Sequence, residues 1–224
     1  AIVDYQAVAT LALAKRVTSD PSPVPFTIAR YDTEFTFIIQ NVNNVQVNEV
    51  QLYDDFNLTF DNIAGSMSNA IEWQVVSHTA NLTPINMTVN SIESENLDSG
   101  NFVQGNAILS GTDSLEGYEE ARIVVRVRFF ADNFQGPYWN EAFVAGYAEP
   151  GVPGDDRENF DPSDTRAVSD RSTDGDDPEN TTLLKEPRDN YDGSSSSPTP
   201  VNVPADSVVG VAKQSSIIRD AERN

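Results

Sequence analysis

The stretch from Glu34 to Tyr53 constrains the fold more than any other part of the chain. Its first half alternates polar residues with three apolar ones, Phe35, Phe37 and Ile39. This two-residue period is typical of a strand with one buried face. Asparagines at 41, 43 and 44 then predict a turn, because short amide side chains bond to their own backbone. A second run changes phase at Asn48-Glu49, which predicts a bulge or a change of sheet. Together the two runs predict a hairpin-like pair of strands.

Other segments show the same period. The most regular is Arg122 to Phe130, whose arginines we expect to lie over the surface or pair with carboxylates. Further predicted strands cover 5–17, 71–79, 85–92, 102–109 and 138–147. Seven or eight short strands without a convincing helix predict an all-β, antiparallel, immunoglobulin-like β-sandwich. Because the chain contains no cysteine, disulfide-linked domains and thiolate metal sites are excluded.

The net charge of the chain limits the classes of molecule that it can bind. The formal net charge is -21, from 35 acidic and 14 basic residues. Such a field repels phosphate backbones and anionic lipid surfaces, so we expect no nucleic-acid binding. No segment approaches the ~20 apolar residues of a membrane helix, so we expect no membrane insertion. An acidic, lysine-poor surface favours a saline or calcium-containing exterior, and we predict an extracellular, cell-surface protein.

Catalytic residues are not evident. His78 is the sole histidine and lies within a predicted strand, where a surface position is the ordinary interpretation. Asp54 and Asp55 are adjacent, so their side chains point to opposite faces of a strand and cannot flank one glycosidic bond. We therefore predict no enzyme activity. Trp73 and Trp139 are candidates for stacking on a sugar, although in an all-β protein such residues are more often part of the core or sheet surface.

From residue 151 onward, aspartate, proline and serine dominate, and composition alone predicts disorder. Closely spaced carboxylates beside a glycine are also what a hard cation requires, and Ca²⁺ takes several oxygen ligands. The candidate ligands are Asp170, Asp174, Asp176 and Asp177. A second acidic cluster comprises Asp155, Asp156, Asp161 and Asp164. The spacing is not that of a complete EF-hand loop. An acidic solvated linker is the alternative to a calcium site.

The order of several motifs resembles the DUF11, or conserved-repeat, β-sandwich family of large bacterial, Bacteroidota-type surface proteins. The matching segments are Ala12-Leu-Ala-Lys15, Asp32 to Asn41, Val45 to Asp55, Leu115-Glu-Gly-Tyr-Glu119, Asn140 to Gly146, Asp170 to Pro178 and Pro198-Thr-Pro-Val201. Phe56-Asn57 stands where the family has a proline. The resemblance implies an immunoglobulin-like repeat whose acidic segment is an ordered loop.

The opening strand recurs near the end of the chain. Val211-Ala-Lys213 matches Leu13-Ala-Lys15, and the two lysines are 198 residues apart (213 minus 15), a spacing suited to a tandem array. The predicted assembly strand comprises Val208, Val209, Val211 and Lys213. It would begin the next domain or add to the sheet of a neighbouring subunit. The alternative is a frayed tail or the last strand of this domain.

These observations predict three parts: a sandwich body at 1–150, a loop region at 151–205 packed on or following it, and the assembly strand at 206–224. The predicted function is that of a structural or adhesive module in an extracellular fibre or filament, stiffened by calcium. Its partners would be copies of itself or adjacent repeats in the same chain. A carbohydrate-binding adhesin module, contacting a surface glycan, is the competing interpretation.

Overall fold

The structure is a computed structural model that describes residues 10–25, 29–60, 71–84, 90–92, 107–131, 136–148, 167–178 and 197–204. These residues form twelve strands and one short helix. The strands are β1 (Leu11–Pro23), β2 (Arg30–Asn41), β3 (Val47–Asp54), β4 (Ile71–His78), β5 (Asn90–Ile92), β6 (Ala107–Leu115), β7 (Glu120–Phe130), β8 (Tyr138–Asn140), β9 (Ala142–Tyr147), β10 (Ala167–Arg171), β11 (Thr173–Asp174) and β12 (Thr199–Val201). The helix, α1, comprises Phe56–Phe60.

The strands form two principal sheets. The first has the order β11-β1-β2-β7-β4-β5 and the second the order β10-β9-β3-β6, while β12 and β8 form a separate pair. All described pairings are antiparallel except that of β1 with β11. The predicted all-β sandwich is therefore confirmed. Among the described residues no helix is long and apolar enough to cross a membrane.

The predicted hairpin at 34–53 is wrong. β2 pairs with β1 and β7, whereas β3 pairs with β6 and β9 in the other sheet. The chain changes sheets at the asparagine turn, where buried Asn41 donates through Nδ2 to the carbonyls of Val45, Leu115 and Glu116. The phase change at Asn48-Glu49 is a bulge inside β3, where the pairing register shifts and Glu49 has a φ of 58°.

The core lies between the sheets and is rich in aromatic rings. Phe35, Phe37 and Ile39 are fully buried, as their alternation predicted. Phe60 stacks on Phe129 with ring centroids 4.1 Å apart. On the outer face of β7, Arg126 and Arg128 pair with carboxylates of β2, as predicted for this arginine face.

Helix α1 was not predicted. It begins after Asp55, whose Oδ1 accepts a hydrogen bond from the backbone N–H of Leu58 at 2.9 Å, the usual interaction of a helix N-cap. One turn then places the rings of Phe56 and Phe60 in the core. The same turn carries Thr59 towards the inner end of β8, where it contacts Asn140.

Part of the acidic region completes the sheets. β10 pairs with β9 in the second sheet, and two residues later β11 pairs with β1 in the first sheet. β12 then pairs with β8. Within 151–205, the described residues therefore include three strands, and this segment joins one sheet to the other.

Candidate functional site

A lysine occupies the centre of the core. Lys15 lies on β1 in the same phase as Leu11 and Leu13, and its side chain is fully buried. Its Nζ lies 4.3 Å from the ring centroid of Phe35 and 4.9 Å from that of Phe37. The ring of Phe56 is also close, at 5.4 Å. Three aromatic rings therefore surround the amine and keep water away from it.

Two further polar side chains complete the cluster. Asp54, at the end of β3, accepts a hydrogen bond from Lys15 Nζ through Oδ2, and its side chain is also fully buried. Its other oxygen, Oδ1, accepts from Asn140 Nδ2 at 2.7 Å. Asn140 is fully buried at the end of β8. One carboxyl group thus bridges an amine and an amide that come from distant parts of the chain.

The amide of Asn140 is bonded on one side only. Its Nδ2 donates to Thr59 Oγ1 at 2.7 Å as well as to Asp54. Its Oδ1 is buried and has no hydrogen-bond partner. Buried polar atoms without partners are uncommon, and each one needs a physical explanation.

The ordered part of the acidic region holds the cluster together. The carbonyl of Lys15 accepts hydrogen bonds from the N–H of Gly175 at 2.9 Å and from Thr199 Oγ1 at 3.0 Å. Ser172 exchanges two bonds with the backbone of Ala142, both at 2.9 Å. These contacts fix β1 against the ends of β8 and β9, and so fix Lys15 against Asn140.

Burial shifts both ionisable groups towards their neutral forms. Burial lowers the pKa of Lys15 from 10.5 to about 8, in spite of the opposing effects of Asp54 and Glu141. Burial likewise raises the pKa of Asp54, although Lys15 and Asn140 act against it. Both shifts lower the free energy of moving the shared proton from the amine to the carboxyl group.

The cluster contains a nucleophile, an acid–base group and an amide, but all three side chains are buried. A solute from outside has no access to them, so the chemistry of the cluster concerns the chain itself.

The four predicted calcium ligands have different surroundings. Asp170 is buried and its Oδ2 accepts from the backbone N–H of Leu13 at 2.7 Å, which ties β10 to β1. Asp176 pairs with Arg16 at 2.6 Å, and Asp174 and Asp177 are exposed. In the part of the chain that the structure describes, no three His, Cys, Asp or Glu side chains are grouped to hold a metal ion. Calcium binding stays a prediction.

The second acidic cluster, Asp155, Asp156, Asp161 and Asp164, lies outside the described residues. So does the predicted assembly strand with Val208, Val209, Val211 and Lys213.

The two tryptophans differ. Trp73 is 1% exposed and packs against Phe56, with ring centroids 6.1 Å apart. It belongs to the core and offers no face to a sugar, so its assignment as a stacking residue was wrong. Trp139 is 60% exposed on β8, opposite Pro200 of β12. It keeps the exposure that sugar stacking requires.

Sequence reasoning did not identify Lys15, Asp54 and Asn140 as a site, although all three lie in the motifs quoted above. The signal available in the sequence was the position of Lys15 in the two-residue period of its strand. Lys15 follows Leu11 and Leu13 at intervals of two, which places a charged residue on the core face of the strand.

Comparison with known proteins adds no family. No family model matches the chain, and no curated protein matches it. Among solved structures, the N-terminal domain of PorA aligns over 74% of this chain and 97% of its own, with a TM-score of 0.30 and 9% identity. A structure described as AvmM, which catalyses macrocyclization in alchivemycin A biosynthesis, aligns over 73% and 90%, with a TM-score of 0.29 and 14% identity. The resemblance to DUF11 repeats stays a prediction.

Proposed function

We propose that this chain is a structural or adhesive module of an extracellular fibre, similar to DUF11 repeats. Modules would join end to end through the strand that contains Val208, Val209, Val211 and Lys213. The partner is then a copy of this chain or an adjacent repeat in the same polypeptide. The observation that carries the proposal is the position of Lys15, because the sequence motif around this residue recurs at 211–213.

The position of the first copy argues for an external partner of the second. β1 lies between β2 and β11, and Lys15 fills the pocket formed by Asp54 and the aromatic rings. A second lysine of the same kind would need an equivalent carboxylate, since an unpaired buried charge is strongly destabilising. In the described part of this chain, Lys15 already occupies the pocket beside Asp54. The second copy, at 211–213, fits an equivalent pocket in another module.

The net charge of the chain favours assembly through one specific contact. At a net charge of -21, copies of this chain repel one another in random encounters. Association must therefore come from a specific element, and the backbone hydrogen bonds of an added strand supply one that does not depend on charge.

Light scattering combined with hydrogen exchange tests the proposal. The full chain should form oligomers whose amides at 208–213 are protected from exchange only in the assembled form. The double variant Val209→Asp/Val211→Asp should remain monomeric. Its matched control, Ser215→Asp/Ser216→Asp, adds the same charge beyond the assembly strand and should assemble. A monomeric chain that protects 208–213 within its own sheet would contradict the proposal.

A carbohydrate-binding module is the second candidate, favoured by the 60% exposure of Trp139. A flat, exposed ring offers a stacking surface to a sugar. Glycan-array binding that is lost in Trp139→Ala would support it. Tyr118→Ala is the matched control, because Tyr118 is a similarly exposed aromatic residue at 69% and lies in the turn before β7.

A further inference from the structure

We propose that the side chains of Lys15 and Asn140 become joined by an amide bond, formed by the folded chain itself with Asp54 transferring the protons. This goes beyond the proposed function and does not depend on it. The inference rests on the arrangement of three buried side chains that no external substrate can reach.

One carboxyl group holds both reactants. Lys15 Nζ donates to Asp54 Oδ2, and Asn140 Nδ2 donates to Asp54 Oδ1 at 2.7 Å. The attacking nitrogen and the leaving nitrogen therefore lie within the width of a single carboxyl group. Holding reactants in this way replaces a bimolecular encounter with a unimolecular step, and effective molarities for such arrangements are large.

The surroundings favour the reactive protonation state. An amine attacks only when it is neutral, and the rings of Phe35, Phe37 and Phe56 keep water away from Nζ. Burial lowers the pKa of Lys15 to about 8 and raises the pKa of Asp54. Both shifts move the shared proton from the amine to the carboxyl group.

The step balances without any co-reactant. The lone pair of Lys15 Nζ attacks Cγ of Asn140, and a new carbon–nitrogen bond forms while the carbonyl π electrons move to oxygen. Asp54 takes one proton from Nζ through one oxygen and gives one to Nδ2 through the other. The Cγ–Nδ2 bond then breaks and ammonia leaves. The products are a secondary amide, the carboxyl group of Asp54 in its starting state, and one ammonia. Nothing is oxidised or reduced.

The unpartnered oxygen of Asn140 fits this chemistry. For the attack, a half-turn of the amide exchanges Oδ1 with Nδ2 and places Oδ1 between protonated Asp54 and the hydroxyl of Thr59; rotation of the tetrahedral carbon then returns Nδ2 to Asp54, which protonates it. Both groups then donate to the carbonyl oxygen, where negative charge develops during the attack. Donors at that place are the usual means of stabilising such a transition state.

Asn140, rather than Asp54, is the electrophile that the geometry supports. An amide between Lys15 and Asp54 would consume Asp54, the acid–base group that bridges the two reacting side chains. The neighbouring carboxylate, Glu141, is engaged by Arg171. With Asn140 as the electrophile, Asp54 remains free to move protons.

The bond would connect the first sheet to the strand pair formed by β8 and β12. Lys15 lies in the first sheet on β1, and Asn140 lies at the end of β8, two residues before β9 of the second sheet. A covalent link there prevents β1 from separating from the rest of the sandwich. For a module in a fibre, this resists extension.

Intact-mass spectrometry of the full chain tests the proposal. We expect a mass lower than that of the sequence by one ammonia, about 17 Da, the leaving group of this nucleophilic step. Proteolysis and fragmentation should give one peptide pair linked between Lys15 and Asn140. This second readout is needed because a succinimide at any asparagine causes the same loss of mass.

Variants assign the roles. Lys15→Arg and Asn140→Ala should both show the full sequence mass, as should Asp54→Ala. Asn41→Ala is the matched control, since it removes another fully buried asparagine and should retain the linked pair.

Two results on the unaltered chain would overturn the proposal without any variant. One is a folded protein with the full sequence mass. The other is loss of water with a linkage between Lys15 and Asp54.

Discussion

Replacing Asn140 by alanine tests the amide link through stability. A bond between residues 15 and 140 closes a loop of 126 residues (140 minus 15, plus one). In the chain-entropy treatment of cross-links, closing a loop of this length in the unfolded state contributes about 5 kcal/mol to the free energy of unfolding. Asn140→Ala removes that contribution and leaves the pair of Lys15 and Asp54 in place.

Two contributions to stability must be distinguished here, the cross-link and the local hydrogen bonds. Before any reaction, Asn140 Nδ2 donates to Asp54 and Thr59, both at 2.7 Å, and each bond contributes about 1 kcal/mol net. In the linked chain Nδ2 has left as ammonia, so these two bonds are already absent and the loss on substitution is that of the cross-link, about 5 kcal/mol. For a chain of this size, that loss corresponds to a fall in melting temperature of roughly 10–20 °C.

Denaturant unfolding separates the two parts. A cross-link makes the unfolded state more compact, so its removal should increase the dependence of unfolding free energy on denaturant, the m-value. Asn41→Ala is again the control. It removes a buried side chain that donates three hydrogen bonds, so it should lower stability without changing m.

A double-mutant cycle adds a second criterion. Lys15→Met and Asn140→Ala each remove the same bond, so the double variant loses it only once. The interaction energy should be about 5 kcal/mol, whereas non-covalent neighbours give roughly 0.5–3 kcal/mol. A loss of only about 2 kcal/mol in Asn140→Ala, with an unchanged m-value, would refute the argument.

Three further predictions can be checked with the same assays. Burial lowers the pKa of Lys15 from 10.5 to about 8 in the folded chain. In Asn140→Ala, where the amine stays unlinked, we expect the same lowering, so that the unfolded state binds more protons than the folded state between these pH values. The unfolding free energy of Asn140→Ala, measured against that of the double variant Lys15→Met/Asn140→Ala, should therefore rise from pH 8 to 10.5. A difference between the two that does not change with pH would contradict the lowered pKa of Lys15. Arg128→Met, which removes the partly exposed pair with Asp32, should cost less than about 1 kcal/mol in urea unfolding. If the loop at 170–177 binds calcium, adding Ca²⁺ after EGTA should raise the melting temperature, and an unchanged melt would count against a structural ion.

Local periodicity predicted the strand at 122–130 and the buried face of β2, because the burial of one face is a property of each segment alone. The predicted strand at 138–147 is two strands, β8 and β9, in different sheets. Phe35, Phe37 and Ile39 are buried as their alternation required. The choice of partner strand is a non-local property, and here the prediction failed. The turn after β2 has the composition of a hairpin loop, yet Asn41 bonds to the carbonyls before β7 and the chain crosses to the other sheet.

The acidic region shows a second limit of sequence reasoning. Its composition predicts a solvated loop, but Ser172 and Thr173 are buried where the chain passes from one sheet to the other. Two buried polar residues between aspartates produce no periodic signal. Only the family resemblance indicated an ordered loop, and it did not indicate which residues would form strands.

The sequence showed the individual residues of the candidate site but not that they form a cluster. Lys15, Asp54 and Asn140 each belong to a separate sequence motif. Their contact depends on β1, β3 and β8 meeting in the core. No spacing in the sequence encodes such a meeting. The one usable clue was a lysine in the phase of buried leucines.

A buried ion pair alone does not account for this cluster. Taking Lys15 and Asp54 out of water costs several kcal/mol for each ion, and apolar residues of similar volume are often as stable in such places. An amide between Lys15 and Asn140 removes this cost, because the amine loses its charge and Asp54 can keep its proton. The arrangement is therefore better explained as the state before a reaction than as a permanent salt bridge.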